Sequence, residues 1–497
     1  MPPRLAVVHN NRPDVERVMP AYQRGLVDNC FEEGQYEAGI MVLDQLRSAR
    51  YRPWGPHVRQ LVYIALYPPQ SHSEARGLGN VRFEPGSLGN LLSEQRLYPS
   101  PSDTQAALNL LTAFSVTNTP AAIFCALPHY PAPSGDTATC TTVDMGEEDE
   151  DSEISRQSLR IRNAKDCWTI LKETFVQRIV EKPPSPKRKG RSRKRAARED
   201  TASPAQEDNA DHSLNPISQY AWPILDWIID LLERDEVAIE RSGQPRHSPL
   251  LLTQIPPPRT TTGGRWDVEV ILEIIMCAFQ QTDAKRRSLG IRLLALLINL
   301  TSTTLVDLPM ILNAVSNHIS SLPSDGIAAL LAALPPSRAV LQFKLALYKS
   351  LITAHVGNLD STGTDSRSQG RLQPRPVRRG QSSLYNQDSS IPKPATELNS
   401  VSITRKYAVM SPSEALSLIK DSGSPGLPRP ELASQIKVEL ALTYWMLRRQ
   451  IAQEDPNVEW DERVQTEALY SCASIAAKTD GDLTARDLDQ LGNMLST

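Results

Sequence analysis

Apolar side chains recur every three to four residues over much of the chain. The spacing holds over 36–46, 58–66, 289–300 and 337–354. Residues three and four apart lie on one side of an α-helix, so this pattern predicts helices with one buried face. Short turns between such helices favour antiparallel hairpins that stack on their neighbours. We therefore predict an all-α fold of helical hairpins in solenoid-like, helical-repeat blocks, without a β-sheet.

Stretches rich in proline, glycine, serine or charge separate the periodic segments and are typical of disordered linkers. The predicted organisation is an N-terminal helical block at 14–127, an acidic linker at 128–153, an amphipathic helix at 154–181, a basic disordered segment at 182–213, a central helical block at 214–356 with a linker at 241–265, a disordered linker at 357–410 and a C-terminal helical block at 411–497.

Several residues mark the expected helix starts. The first helix is expected to carry Val15, Val18, Leu26 and Val27 on its apolar face, and Pro20 is expected to break or restart it. Asp103 is expected to cap the helix that follows the loop at 68–100, because the first N–H groups of a helix lack backbone partners. Asn215 with Pro216 predicts another start, and Ser411 to Glu414 has the spacing of a capping box.

One stretch, FEEGQYEAGIMVLDQLR at 31–47, resembles the G-x-Y-x-x-A core of a tetratricopeptide unit. The resemblance implies two antiparallel helices joined at Gly34. It covers one unit alone, since no second copy follows at the period of about 34 residues that the family requires. The alternative interpretation of this sequence is an ordinary helix start with an aromatic residue that packs in the core.

The composition narrows the class of protein. The amino terminus has no apolar core of the kind found in signal peptides, and the longest apolar run, 291–300, is about half of the ~20 residues needed to span a bilayer. We therefore expect a soluble intracellular protein. Widely spaced cysteines without a CxxC pair predict buried or free thiols in a reducing compartment. The six cysteines are Cys30, Cys125, Cys140, Cys167, Cys277 and Cys472.

No enzyme template fits the sequence. Its histidines are scattered and form no HExxH pair, and no phosphate-binding loop, dinucleotide fingerprint or GxSxG elbow occurs. We expect no enzymatic activity, no cofactor, no metal site and no small-molecule substrate.

The sharpest feature is the basic tract 187–198, KRKGRSRKRAAR. Such tracts serve as nuclear-localisation signals or nucleic-acid patches, and the third possibility is a solvated charge run. We expect nuclear import to be its main role. Ser185 stands in a Ser-Pro-x-basic pattern, so phosphate there would add negative charge beside the tract and weaken its binding. The basic residues that would contact an import receptor or a phosphate backbone are Lys187, Arg188, Lys189, Arg191, Arg193, Lys194, Arg195 and Arg198.

Two further features bear on partners. The acidic run at 144–153 is interpreted as a solvated spacer, with binding of basic partners or of the basic tract as alternatives. Trp54 lies in a turn between Pro53 and Gly55, where an exposed ring would mark a partner contact. The aromatic pairs Trp222/Trp227 and Tyr444/Trp445 are expected to pack in the core.

These observations favour a non-catalytic nuclear scaffold or interaction subunit of a multiprotein complex, in chromatin, transcription or genome maintenance. Its expected partners are an import receptor and other subunits, with nucleic acid secondary and no membrane. The alternatives are a sequence-nonspecific nucleic-acid-binding accessory factor that uses the basic tract, and a cytoplasmic helical adaptor.

Overall fold

Helices dominate the part of the chain that the computed structural model describes. The described residues are 16–69, 98–130, 152–176, 215–257, 266–303, 306–319, 322, 324–354, 410–420 and 430–454. The all-α prediction is confirmed to this extent. The predictions for the basic tract, Ser185, most of the acidic run and the end of the C-terminal block concern residues outside the described part of the chain.

The chain divides into two units, one formed by residues 1–301 with 332–334 and the other by 302–331 with 335–497. The division falls inside the predicted block 214–356. The elements of the first unit are β1 (Arg17–Val18), α1 (Ala21–Glu32), α2 (Tyr36–Leu46), β2 (Tyr51–Arg52), α3 (Gly55–Leu66), α4 (Pro101–Thr117), α5 (Pro120–Phe124), α6 (Glu153–Arg162), a 3-10 turn (Thr169–Leu171), α7 (Trp222–Arg241), α8 (Pro249–Leu252), α9 (Glu269–Phe279) and α10 (Ala284–Asn299).

A second 3-10 turn, Leu300–Ser302, follows α10. The remaining helices are α11 (Leu308–Ile319), α12 (Ser324–Ala333), α13 (Arg338–Ala354), α14 (Pro412–Lys420) and α15 (Pro430–Glu454). Within the second unit α15 packs against α13 and α14, and α11 packs against α13. Lys344 of α13 is buried in this unit, and burial lowers the pKa of its ammonium group. The negative charge of Glu439 raises this pKa, but its effect is smaller than that of burial.

Helix α3 forms the centre of the first unit. It packs against α4, α6 and α7, and all of its residues except Pro56 are buried. A helix surrounded on all sides must satisfy its polar side chains internally. His57 does so in part through its Nε2 atom, 2.8 Å from a carboxylate oxygen of Asp28, and the Gln60 amide donates to the hydroxyl of Ser155. Among the described residues, His57 Nδ1 and Gln60 Oε1 have no hydrogen-bond partner.

Helix α7 is the second organising element of this unit. It packs against α3, α4, α5, α8 and α10. Trp222 and Trp227 of α7 are buried, and so is Tyr444 of α15, as predicted, whereas Trp445 is half-buried. The Trp227 indole N–H donates to the Leu111 carbonyl oxygen, 3.0 Å away, so its polar atom is satisfied inside the core.

The start of the chain differs from the prediction. Arg17 and Val18 pair in parallel with Tyr51 and Arg52 as two short strands, so the expectations of helix at Val18 and of no strands are wrong here. Strand β2 follows α2 closely, and the pairing holds the incoming chain beside the end of the hairpin. Helix α1 then begins directly after Pro20, as predicted.

Two helix starts also need correction. The N-cap of α4 is Ser100, whose hydroxyl accepts the backbone N–H of Asp103 while the Asp103 carboxylate accepts that of Ser100. Asp103, which was expected to be the N-cap, is therefore the third residue of the helix in a capping box with Ser100. Helix α7 begins at Trp222 rather than at Asn215. The cap at Ser411 is confirmed, because its hydroxyl accepts the backbone N–H of Glu414.

The single helix predicted at 154–181 is wrong. Helix α6 covers Glu153–Arg162, and the chain continues as turns to the 3-10 segment Thr169–Leu171. The side chains of Trp168 and Leu171, which fit the helical spacing, are nevertheless buried. The apolar side chains after α6 recur at helical spacing, but they are buried by tertiary contacts of an irregular segment.

The cysteine prediction fails at one position. Cys125 is disulfide-bonded, whereas Cys30, Cys167 and Cys277 are free. Cys167 is buried, and burial raises the pKa of its thiol, which keeps it protonated and unreactive.

Candidate protein-interaction surface

Helices α1 and α2 form a hairpin whose inner side is fixed by close packing. Gly34 adopts a positive φ of 69° at the turn, a conformation that glycine reaches without strain. Gly39 of α2 lies against the Phe31 ring, and a Cβ atom there would be 2.6 Å from Phe31 Cε1. This glycine occupies the alanine position of the tetratricopeptide pattern. The hairpin is present as the resemblance implies, and its helices approach more closely than alanine would permit.

Both helices of the hairpin carry large apolar side chains in solvent. Tyr22, Leu26 and Met41 are 73%, 53% and 58% exposed. Among the described residues they are half of the six exposed large hydrophobic side chains, although the hairpin is a small part of that region. Single exposed apolar residues are normal on protein surfaces, but a concentration of them indicates an interaction site.

Tyr22 and Leu26 lie one helical turn apart, so they share a stripe on α1. Gly25 lies between them, and a Cβ atom there would meet nothing within 4 Å. Its φ is not positive, so the backbone of α1 does not require glycine at this position. We name Tyr22, Gly25, Leu26 and Met41 the hairpin surface.

The charges around the hairpin surface are mostly negative. Residues 21–47 contain five acidic and two basic side chains. Glu32, Glu33 and Glu37 are exposed, and no ion pair joins them to a cation within the described residues. Of the two cations, Arg47 pairs with Asp44 at 2.9 Å.

The other cation, Arg24, lies over the ring of Trp54, with its guanidinium carbon 4.1 Å from the ring centroid. Trp54 itself is half-buried and is the residue from which α3 begins. One face of the predicted partner-contact ring is thus covered by Arg24 of the same chain. The role of Trp54 toward a partner stays a prediction, and the ring lies next to α1.

The structure brings Trp54 close to the hairpin, whereas the sequence did not indicate the hairpin surface as a site. Leu26 and Val27 were both assigned to the apolar face of the first helix. Adjacent residues point about 100° apart on a helix and can both lie on one apolar face, so the spacing does not decide which of the two is buried. Val27 is buried and Leu26 is exposed. The spacing of apolar residues therefore gave no signal for the hairpin surface.

A buried ionic cluster lies elsewhere in the first unit. Glu236 of α7 accepts hydrogen bonds from Arg246 Nε at 2.8 Å and from Asn299 Nδ2 at 2.7 Å. Burial raises the pKa of Glu236, while Arg246 and Asn299 act in the opposite direction. Arg292 of α10 similarly donates to Glu233 of α7 at 2.8 Å. Asn299 and Arg292 thus join α10 to α7, and Arg246 holds the loop after α7 against that helix, which is a structural role.

Metal-binding chemistry finds no support in the described part of the chain, where no group of three or more histidine, cysteine, aspartate or glutamate side chains could hold an ion. Within the same residues, no helix has the combination of length and apolar character that crossing a membrane requires. No protein-family model, curated protein or solved structure matches the chain.

Two glycines of the hairpin offer a matched test of its geometry. Replacing Gly39 by alanine should lower the free energy of unfolding by about 1–3 kcal/mol, because the new methyl group would overlap the Phe31 ring. Replacing Gly25 by alanine should raise it by about 0.5–1 kcal/mol, because alanine favours the helix and meets no neighbour. Urea unfolding of both variants checks the pair, and equal effects would contradict the described packing.

Proposed function

We propose that the protein is a non-catalytic nuclear scaffold subunit of a multiprotein complex, and that the hairpin surface binds one of its partners. The observation that carries this proposal is the exposure of Tyr22, Leu26 and Met41 on one helical hairpin. Burying such side chains against a partner removes apolar area from water, the main driving force of protein association. In this proposal the helical hairpins stack as a scaffold.

The basic tract 187–198 supports the nuclear part of the proposal by sequence alone. The Cys125 disulfide weighs against it, because disulfides are rare in reducing compartments. Localisation is therefore the first quantity to measure. Deleting 187–198 from the full chain should move a fluorescent fusion from the nucleus to the cytoplasm. A nuclear distribution that survives the deletion would exclude the tract as an import signal, whereas a wild-type fusion that is already cytoplasmic would favour the cytoplasmic adaptor.

Partner binding is tested by a charge placed on the hairpin surface. Leu26→Asp should remove at least one protein that co-purifies with the tagged full chain, because an aspartate in an apolar interface lacks a partner. Tyr220→Asp is the matched control, since Tyr220 is also exposed and lies outside the hairpin. Identical co-purifying proteins for both variants and the wild type would contradict the proposal.

The nucleic-acid-binding alternative predicts a different result. A protein that binds phosphates through the tract should lose affinity steeply with salt. Binding of a random-sequence duplex that falls with salt and disappears on deletion of 187–198 would favour that alternative over a scaffold.

A further inference from the structure

We propose that the occupant of the hairpin surface is a basic amphipathic helix of a partner protein, which crosses α1 at Gly25. This inference rests on the proposed function and adds the chemistry of the partner. Three independent features of the hairpin lead to it: an apolar stripe, a glycine without an internal role, and an excess of negative charge.

The first feature is the direction of the stripe. Tyr22, Leu26, Asn29 and Glu33 follow one another at steps of four, three and four residues, so they form a line along the solvent side of α1. Val27 and Phe31 point into the core instead. Tyr22 and Leu26 form the apolar half of this line, and their spacing matches apolar anchors one turn apart on another helix.

The second feature is Gly25. Glycine in the middle of a helix costs about 0.5–1 kcal/mol relative to alanine. Gly39 is required by the nearby Phe31 ring, and Gly290 of α10 by Ala278, whose Cβ would lie 2.9 Å from an added Cβ. Gly25 has no such neighbour among the described residues. Gly25 is half-buried, and a helical glycine with open space at its Cβ position allows the backbone of a second helix to approach between Tyr22 and Leu26.

The third feature is charge. Glu33 continues the stripe beyond Asn29, and Glu32 and Glu37 lie on either side of the hairpin turn. The two cations of the hairpin are occupied, Arg24 by the Trp54 ring and Arg47 by Asp44. A partner helix whose polar face carries lysine or arginine would meet complementary charge, whereas an acidic helix would meet repulsion. The complementary partner is therefore basic.

The test uses the full chain and three synthetic peptides of equal length. All three place leucine at the same i, i+3, i+4 and i+7 positions, and their other positions are lysine, glutamine or glutamate. Fluorescence anisotropy should show the leucine/lysine peptide binding at least about tenfold more tightly than the leucine/glutamate peptide, which corresponds to about 1.4 kcal/mol. The leucine/glutamine peptide should lie between them.

Variants then locate the binding. Leu26→Asp and Gly25→Gln should each weaken the leucine/lysine peptide by about tenfold or more, the second because a long side chain blocks the crossing while favouring the helix. Glu33→Lys combined with Glu37→Lys should reverse the preference between the lysine and glutamate peptides. Tyr220→Asp should bind like the wild type, and circular dichroism should show unchanged helicity for every variant.

Two results would overturn the inference. One is equal affinity for the three peptides or binding of none of them. The other is lysine-peptide binding that survives Leu26→Asp and Gly25→Gln, which would place it at another acidic region. If Leu26→Asp still removes co-purifying proteins in either case, the scaffold proposal stands and only the basic-helix chemistry fails. If Leu26→Asp removes none, both fail.

Discussion

Replacing Trp168 by alanine is expected to lower the free energy of unfolding by about 3–5 kcal/mol, the usual cost of removing a large aromatic side chain from a core. Trp168 is 1% exposed although it lies outside any α-helix. Its indole N–H donates to the backbone oxygen of Gln254, 3.1 Å away. The substitution therefore removes both the packing of the ring and a hydrogen bond, and it leaves the backbone oxygen of Gln254 without the indole donor.

Gln254 explains why the loss should be large. Its side-chain oxygen accepts the backbone N–H of Cys167 at 2.8 Å, and its side-chain nitrogen donates to the Pro128 oxygen at 3.0 Å. This buried amide ties together three segments that are distant in sequence. Loosening Trp168 should weaken the same contacts, because buried hydrogen bonds depend on exclusion of water.

Urea unfolding followed by far-ultraviolet circular dichroism measures this effect. Tyr220→Ala is the control, since an exposed aromatic residue should change the stability by less than about 0.5 kcal/mol. A loss below about 1 kcal/mol for Trp168→Ala would mean that the segment after α6 is not anchored as described.

Replacing Arg246 by methionine is expected to cost about 3 kcal/mol at neutral pH, because the substitution leaves the Glu236 carboxylate buried without its cation. The Glu236 side chain is 2% exposed, whereas Arg246 is 40% exposed. Water can reach the vacated position from the Arg246 side, so we place the effect at the lower end of the range for broken buried pairs.

The pH dependence of this loss follows from the pKa of Glu236. Burial raises that pKa above the ordinary carboxyl value, against the effect of Arg246. A raised folded-state pKa means that the folded protein binds the proton more tightly than the unfolded chain. The resulting stability is present below the ordinary carboxyl pKa and is lost as pH rises through the raised value. Removing Arg246 raises the pKa further, so the variant should lose more stability at pH 8 than at pH 5.

Unfolding midpoints at these two pH values test the prediction. Glu236→Gln combined with Arg246→Met is the control, because the double variant has no ionisable group at this position and its loss should not grow with pH. A loss for Arg246→Met alone that is equal at both pH values would contradict the assignment of Glu236 as the titrating group.

The sequence by itself determined the helical class and several helix ends. The hairpin turn at Gly34, the start of α1 after Pro20 and the cap at Ser411 depend on backbone angles and hydrogen bonds to near neighbours. Such local requirements can be recognised in the sequence, because each belongs to one residue type. Proline lacks the N–H group, glycine tolerates a positive φ, and serine supplies the capping hydroxyl.

Only the tertiary structure decided which apolar side chains are buried. The spacing of apolar residues predicts burial equally for Leu26 and Val27, and the packing of α1 against α2 and α6 leaves Leu26 in water. Trp168 fitted a helical spacing, yet it is held by the distant Gln254. Arg17 and Val18 became a strand because Tyr51 and Arg52 lie beside them. Burial and pairing are properties of two segments at once, so the spacing of one segment could not predict them.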